Sequence, residues 1–292
     1  MSDELSCGLV STAQYLLEQE RHDQAALCLQ AALRLKPGHL TAHNLLESHN
    51  LPGALGRAFR LEGRIHPDDD IFRFFSNHPT SINPVRDYLS DGWRTLAELR
   101  SLLERFHVRL DTCPAFLEFA CGHGRFTRHL VKALPEGALT VAELVPGAVE
   151  FLQDTMGVQG FNSCAVPEDL AVTQRFKVIF VLSLFSHLPD GLWQRWLDKL
   201  LELTAPGGML IFTTHGLHCA QQAGITLDEQ GYFFVADSES AQVDSSLYGT
   251  SFTSPEFVRR AISELESAQS LEVAHVPEHF WANQDAWVLI KH

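Results

Sequence analysis

The stretch Phe116-Leu-Glu-Phe-Ala-Cys-Gly-His-Gly-Arg-Phe-Thr127 constrains this chain more than any other, because it reads as a buried strand that breaks into a glycine turn and opens a helix. Phe116, Leu117 and Phe119 suit a strand covered on both faces, and Phe126 to Leu134 resumes a helical pattern. Between them, Gly122 and Gly124 let the backbone turn and come close to a ligand. A nucleotide-like cofactor binds at such a break. The next strand, Leu139 to Glu143, ends on an acid nineteen residues after Gly124, close to the roughly 20-residue spacing at which a carboxylate meets a ribose.

Two cofactors compete for this turn. A dinucleotide asks for G-x-G-x-x-G, yet Thr127 stands at the third position and the basic Arg125 opens the helix. S-adenosylmethionine has no phosphate, so two glycines and two carboxylates suffice. With Glu118 inside the first strand, the region resembles motif I of the class I S-adenosylmethionine-dependent methyltransferases.

Further landmarks follow in the family's order. Glu143-Leu-Val-Pro-Gly-Ala-Val149 looks like its acidic strand end leading into the second helix, and Phe176 to Pro189 like its fourth strand and the loop after it. Leu203 to Gly216 is similar to its Pro-Gly-Gly turn and fifth strand, and Leu271 to Val276 with Ala286 to Ile290 to its final antiparallel pair. The likeness covers about Leu110 to His292. It implies an α/β, Rossmann-like fold, a mostly parallel seven-stranded sheet with an antiparallel last strand, preceded by a small all-helical region. It also implies a cofactor cradle from Glu118, Ala120, Cys121, Gly122, Gly124, Glu143, Leu144 and Ser183.

The chain departs from the family's pattern in three places. Ala120 replaces the leading glycine of the turn, and Lys177 stands where the fourth strand often starts with Asp. The segment Asn162-Ser-Cys-Ala-Val166 lacks the carboxylate that often reads the adenine amino group. Backbone groups near Cys164 and Ala165, or the nearby Glu168, are the alternatives.

A chain of 292 residues with a 45% apolar fraction is long enough for a main domain and a smaller attachment. Its net charge of −14 argues against a docking surface for phosphate backbones, so nucleic acid is not the expected substrate. The six cysteines lack a C-x-x-C pair, which suits free thiols in a reducing compartment better than bridges or zinc. The opening Met1-Ser-Asp-Glu-Leu5 has neither a basic start nor an apolar core, and no apolar run reaches the roughly 18 residues of a membrane helix. The expectation is a soluble cytoplasmic protein that needs neither membrane nor metal.

Residues 9 to 48 carry a helical pattern in which Ala25 and Ala32 flank Leu29 ahead of Pro37, an order that resembles one tetratricopeptide repeat. One repeat cannot bury its own face, so residues 1–50 are read either as a plain helical hairpin or as a surface for a protein partner. Residues 51–109 follow as helical linker and cap. Asp68-Asp-Asp70 offers N-cap acids to a short helix with Phe72, Phe74 and Phe75, and Val85 to Phe106 repeats at helical spacing. The aromatic cluster is read as packing or as a substrate wall. From residue 110, strand-like segments at 115–120, 138–143, 159–163, 177–182 and 208–214 alternate with helical ones, the pattern of a parallel sheet covered on both faces.

Methyl transfer to a hydroxyl asks the protein to align donor and acceptor and to remove a proton. His187, just past the fourth strand, and His215, just past the fifth, are the candidate bases. Fifteen histidines make coincidence easy, and a histidine at position 187 also has a loop-holding reading. The sequence Ser183 to His187 differs from the Pro-Pro-Tyr signature of adenine-amino and glutamine-amide methyltransferases. An insertion at about 217–254, rich in hydroxyl, acidic and aromatic side chains, reads as a lid. With Tyr248 and Asp285 as substrate-binding candidates, it looks like methyltransferases of bacterial glycan clusters, so a small-molecule or glycan acceptor is expected; a bare β-hairpin is the other reading. Two rivals remain: an inactive scaffold that binds a protein through its N-terminal helices, and a nicotinamide-dependent oxidoreductase.

Overall fold

A computed structural model describes residues 2–237 and 243–292, so residues 238–242 of the expected lid lie outside it. The chain divides into two compact units, Met1–Trp93 with Asp154–Met156, and Arg94–Gln153 with Gly157–His292. None of the described helices is long and apolar enough to cross a membrane.

In the first unit, helices α1 (Ser2–Glu18), α2 (His22–Leu35) and α3 (Leu40–Ser48) share one apolar cluster. Ala13, Ala25, Ala32 and Ala42 are fully buried in it beside Leu29 and Leu46, because a methyl side chain lets helix axes approach closely. Helix α2 stops at Leu35, two residues before Pro37, as the restriction on residues preceding proline requires. The polar face of α3 grips the chain that follows. Asn44 and Ile65 exchange hydrogen bonds of 2.7 and 3.0 Å, and Glu47 accepts from the backbone N–H of Leu55 at 2.7 Å, at the start of α4 (Leu55–Phe59). Asp69 caps α5 (Asp70–Asn77) by accepting from Phe72 N–H, and also accepts from the Tyr88 hydroxyl of α6 (Pro84–Glu104) at 2.6 Å. Phe72 and Phe75 present their edges to Tyr88, while Phe74 is 51% exposed.

The second unit is built on a seven-stranded sheet in the order β3-β2-β1-β4-β5-β9-β8. Its strands are β1 (Phe116–Phe119), β2 (Leu139–Glu143), β3 (Gln159–Asn162), β4 (Phe176–Val181), β5 (Thr204–Thr214), β8 (Leu271–Phe280) and β9 (Gln284–Lys291). Strands β1 to β5 pair in parallel, and β9 runs antiparallel to β5 and to β8. A second, two-stranded sheet joins β6 (Tyr232–Val235) to β7 (Thr250–Thr253). Every residue of β1 and β2 is buried, as expected of central parallel strands.

Helices α7 (Thr127–Ala133), α8 (Ala148–Met156), α9 (Asp190–Leu203), α10 (Leu217–Gln222) and α11 (Pro255–Ser263) complete the fold. Trp193, Trp196, Leu197 and Leu200 of α9 pack with Phe257 and Ile262 of α11 against Ile179, Phe212 and Trp287 of the sheet, which forms the main core.

The last two strands are longer than the sequence pattern shows. β8 continues past Val276 through a register shift to Phe280, and β9 begins at Gln284. Pro277 and the left-handed Glu278 (φ 52°) look like a strand end in one dimension, whereas in three they form a bulge held by the facing strand.

Candidate functional site

The carboxyl ends of β1, β2, β4 and β5 lie along one edge of the sheet, where open parallel sheets take their ligands. The turn after β1 contains three left-handed residues, Ala120 (φ 60°), Gly122 (φ 56°) and Gly124 (φ 86°). An added Cβ on Gly122 would meet nothing within 4 Å, so this glycine forms an open ledge rather than a packed corner. Ala120 keeps the conformation a glycine would adopt freely, at a cost of about 1 kcal/mol.

Glu143 lies beside that ledge with its carboxylate buried. It accepts from the N–H of Gly122 at 2.6 Å, of Leu144 at 2.7 Å and of Val145 at 3.0 Å. Glu118 is buried beneath the turn and accepts from the Thr127 hydroxyl at 2.7 Å. Burial pushes its carboxyl up to about 8 and the Glu143 charge adds to that, while the Thr127 hydroxyl and Arg128 pull the other way. Burial, with the charges of Glu118 and Glu143, also holds the Cys121 thiol well above its usual range, which makes it a neutral spacer rather than a nucleophile. Arg128 is 1% exposed and donates through Nε to the Gly124 carbonyl at 2.9 Å.

Past β4, Ser183 is again left-handed (φ 62°) and is fastened on three sides. Its N–H donates to Thr213 Oγ1 at 2.7 Å, its hydroxyl meets Ser186 Oγ at 2.9 Å, and Gln284 Nε2 donates to that hydroxyl at 2.9 Å. Thr213 in turn donates to Gln284 Oε1 at 2.6 Å, so the loop after β4 shares one polar network with β5 and β9.

His187 is 5% exposed and stacks on Tyr248 with ring centres 4.5 Å apart and 16° between planes. Its Nδ1 lies 2.7 Å from the Gly249 carbonyl, which can only accept, so Nδ1 carries the proton and Nε2 keeps its lone pair. Burial lowers the imidazole to about 4, against the upward pull of the Gly249 hydrogen bond. His215 lies 6.0 Å from His187, is half-buried, and its Nδ1 is 3.2 Å from the Ser251 carbonyl. The insertion therefore packs on both histidines. Gly249 N–H donates to His187 O, Ser251 N–H to Ser186 O and Thr253 N–H to His215 O.

The sequence candidates fall into two groups. Glu118, Ala120, Cys121, Gly122, Gly124, Glu143 and Leu144 converge at the ledge, and Ser183, His187, His215 and Tyr248 gather past β4 and β5. Asp285 joins neither group through its carboxylate. It takes His275 Nε2 at 2.8 Å and the Glu278 N–H at 3.0 Å, and lies so close to Gly216 that an added Cβ there would strike it at 2.4 Å. Glu168, an adenine-reading alternative, is engaged by Arg195 at 2.8 Å. His275 had no local signal in the sequence, since its partners are the facing strand's Asp285 and the Trp287 ring, stacked at 4.1 Å.

Residues 117–210 match the family profile described as a methyltransferase domain. The tRNA (guanine-N(7)-)-methyltransferase of Anaeromyxobacter dehalogenans is 29% identical over 168 residues, covering 51% of this chain and 75% of that protein. A malonyl-[acyl-carrier protein] O-methyltransferase of Priestia megaterium is 27% identical over 103 residues, covering 35% of this chain and 37% of its own length. This chain thus spans little more than a third of the latter. Among solved structures, Streptomyces venezuelae DesVI superposes with a TM-score of 0.50 at 13% identity, covering 76% of this chain and 98% of that one, a likeness of fold.

Proposed function

We propose that this chain is a class I S-adenosylmethionine-dependent methyltransferase that methylates a hydroxyl group of a small-molecule or sugar-like acceptor, a reading supported by the methyltransferase-domain match over residues 117–210. The residues at the ledge fit that cofactor. Gly122 leaves open space, the Glu143 carboxylate lies beside it for a ribose hydroxyl pair, and the third-glycine position of a dinucleotide site is Thr127, whose hydroxyl is committed to Glu118. This chemistry also counts against the nicotinamide alternative. When bound, S-adenosylmethionine supplies an electrophilic methyl group on a good leaving group.

The observation that carries the hydroxyl reading is the fixed tautomer of His187. Gly249 occupies Nδ1–H, so Nε2 is the acceptor, beneath Tyr248 and within a ring's reach of His215. An imidazole lowered to about 4 is a weak base toward a resting alcohol. It suffices at the moment of transfer, because an alkylated hydroxyl oxygen is a strong acid and its proton passes downhill to Nε2. Charge argues for small acceptors, since a net −14 repels a tRNA backbone.

Isothermal titration calorimetry with S-adenosylmethionine and S-adenosylhomocysteine, with NAD as control, tests the cofactor; sugars and nucleotide sugars then serve as the first acceptor screen. Uptake of NAD alone would overturn the reading. His187→Ala is expected to abolish turnover while sparing S-adenosylhomocysteine affinity, and equal losses in both would make His187 a loop-holding residue.

A second reading, a scaffold for a protein partner, draws on the exposed apolar side chains Leu5 and Tyr15 of α1 and Leu27 of α2. Cofactor binding without turnover on any acceptor, together with a partner lost on removing residues 1–50, would favour it.

A further inference from the structure

Among the side-chain contacts that hold the glycine turn after β1, three come from separate parts of the chain. Glu143 takes the Gly122 N–H, and Arg128 reaches back from α7 to the Gly124 carbonyl. The third comes from the far end of the chain: the guanidinium of Arg125 lies over the Trp281 ring, 5.2 Å from its centre. Trp281 sits in the turn after β8. Because β8 and β5 both run antiparallel to β9, β8 points the same way as β1, and its turn rises at the same edge of the sheet as the glycine turn.

Trp281 (φ 58°) and Ala282 (φ 53°) both occupy the left-handed region, which hairpin turns usually fill with Asn or Gly. Such strain persists only where the surroundings over-determine it. Here both oxygens of Glu98 take the Trp281 backbone N–H at 3.1 Å, and the indole N–H donates to buried Thr95 Oγ1 at 3.2 Å. Glu98 is itself fixed by Arg94 Nε at 2.8 Å, and its carbonyl accepts from His279 Nε2 at 2.8 Å. Core packing does not account for this arrangement, since the fully buried neighbour is Phe280 at the end of β8, 5.4 Å from Phe180, whereas Trp281 is half-buried and covers Arg125.

We propose that Trp281 is a positioning residue, which acts through Arg125 to hold the glycine turn in the shape that binds S-adenosylmethionine. The proposal rests on the cofactor reading above. A turn with left-handed residues at 120, 122 and 124 has neighbouring conformations close in energy, and apparent affinity falls by the fraction of molecules that leave the competent one. Losing the cation–π tether should therefore weaken cofactor binding without touching a cofactor contact.

The test is a double-mutant cycle on the full chain, read by calorimetric titration with S-adenosylhomocysteine. The variants are Trp281→Leu, Arg125→Met, the pair together, and Trp281→Phe. Each single change is expected to raise Kd about tenfold, the double no more than either single, and Trp281→Phe to recover most of the loss because a ring remains. Titration stoichiometry reports the folded fraction, so partial misfolding does not imitate a change in Kd. Should Trp281→Leu fail to fold, Thr95→Val removes the acceptor of the indole N–H and carries the same expectation at smaller size. Parental affinity in both single variants, or losses that add in the double, would overturn the clamp alone. A parent chain that takes up no S-adenosylhomocysteine would overturn the cofactor reading and the clamp with it.

Discussion

Gln284 holds Ser183 across 101 residues of sequence: its amide nitrogen donates to the serine hydroxyl at 2.9 Å while its amide oxygen accepts from Thr213. The next residue, Asp285, points to the other face of the strand and holds a second left-handed residue, Glu278. Adjacent residues of β9 thus stabilise two strained positions at the ligand edge.

Gln284→Leu removes both halves of that bridge and leaves the Thr213 and Ser183 hydroxyls under-bonded in a buried setting. The expected loss is about 1–3 kcal/mol of stability, read by urea unfolding. An unchanged midpoint would mean that the loops hold Ser183 without help from β9.

Ala120→Gly should move stability the other way. With φ at 60°, the alanine Cβ is strained in a conformation glycine adopts freely, and relief of about 0.5–1 kcal/mol is expected. A destabilised variant would show that packing of the Ala120 methyl against the core outweighs its backbone cost.

Glu143→Ala is expected to weaken S-adenosylhomocysteine binding by about 1–3 kcal/mol, measured by calorimetry, because a charged acceptor beside the ledge is lost. Stability should fall as well, since Gly122, Leu144 and Val145 lose their shared acceptor. Undiminished affinity would take Glu143 out of the cofactor site.

Glu118 sets a pH dependence of opposite sign to the usual buried carboxylate in an ion pair. Its folded-state value near 8 lies above the ordinary 4.5, so the folded protein binds the extra proton and its contribution is fully present only below about 4.5. That contribution is lost as pH rises through about 8. Unfolding midpoints of the parent should therefore decline across this window relative to Glu118→Gln, and parallel profiles would contradict the assignment.

His187 works in the other direction. Its value is lowered from 6.5 to about 4, so the stability of the neutral buried ring is present above 6.5 and drains away as pH falls through about 4. His187→Asn should flatten the acid limb of the stability profile between these values; an unaltered limb would mean that the ring is solvated.

Much of this was legible in one dimension because it is local. The strand–glycine–helix break, the acid ending β2 and the alternation of strands with helices are written in residues a few positions apart. The two-strand finish was visible as well, but not its length, since Pro277 and Glu278 end a strand by every local rule, whereas contacts across the fold, the Asp285 carboxylate on Glu278 N–H among them, carry β8 through them. The sequence presents Asp285 as a substrate-binding candidate, a base's partner or a solvated strand-end acid, and does not identify its partner as His275, ten residues away across a hairpin. The hold of Glu98 on Trp281 spans 183 residues, and no window along the chain could contain both.

The Gly249 carbonyl that fixes His187 belongs to the inserted hairpin rather than to the sheet. Without that carbonyl, Nδ1 would have no acceptor 2.7 Å away and neither ring nitrogen would be favoured for the proton, so the tautomer depends on a residue 62 positions along the chain. The proton position of His187 is therefore set by the insertion as much as by the loop that carries the ring.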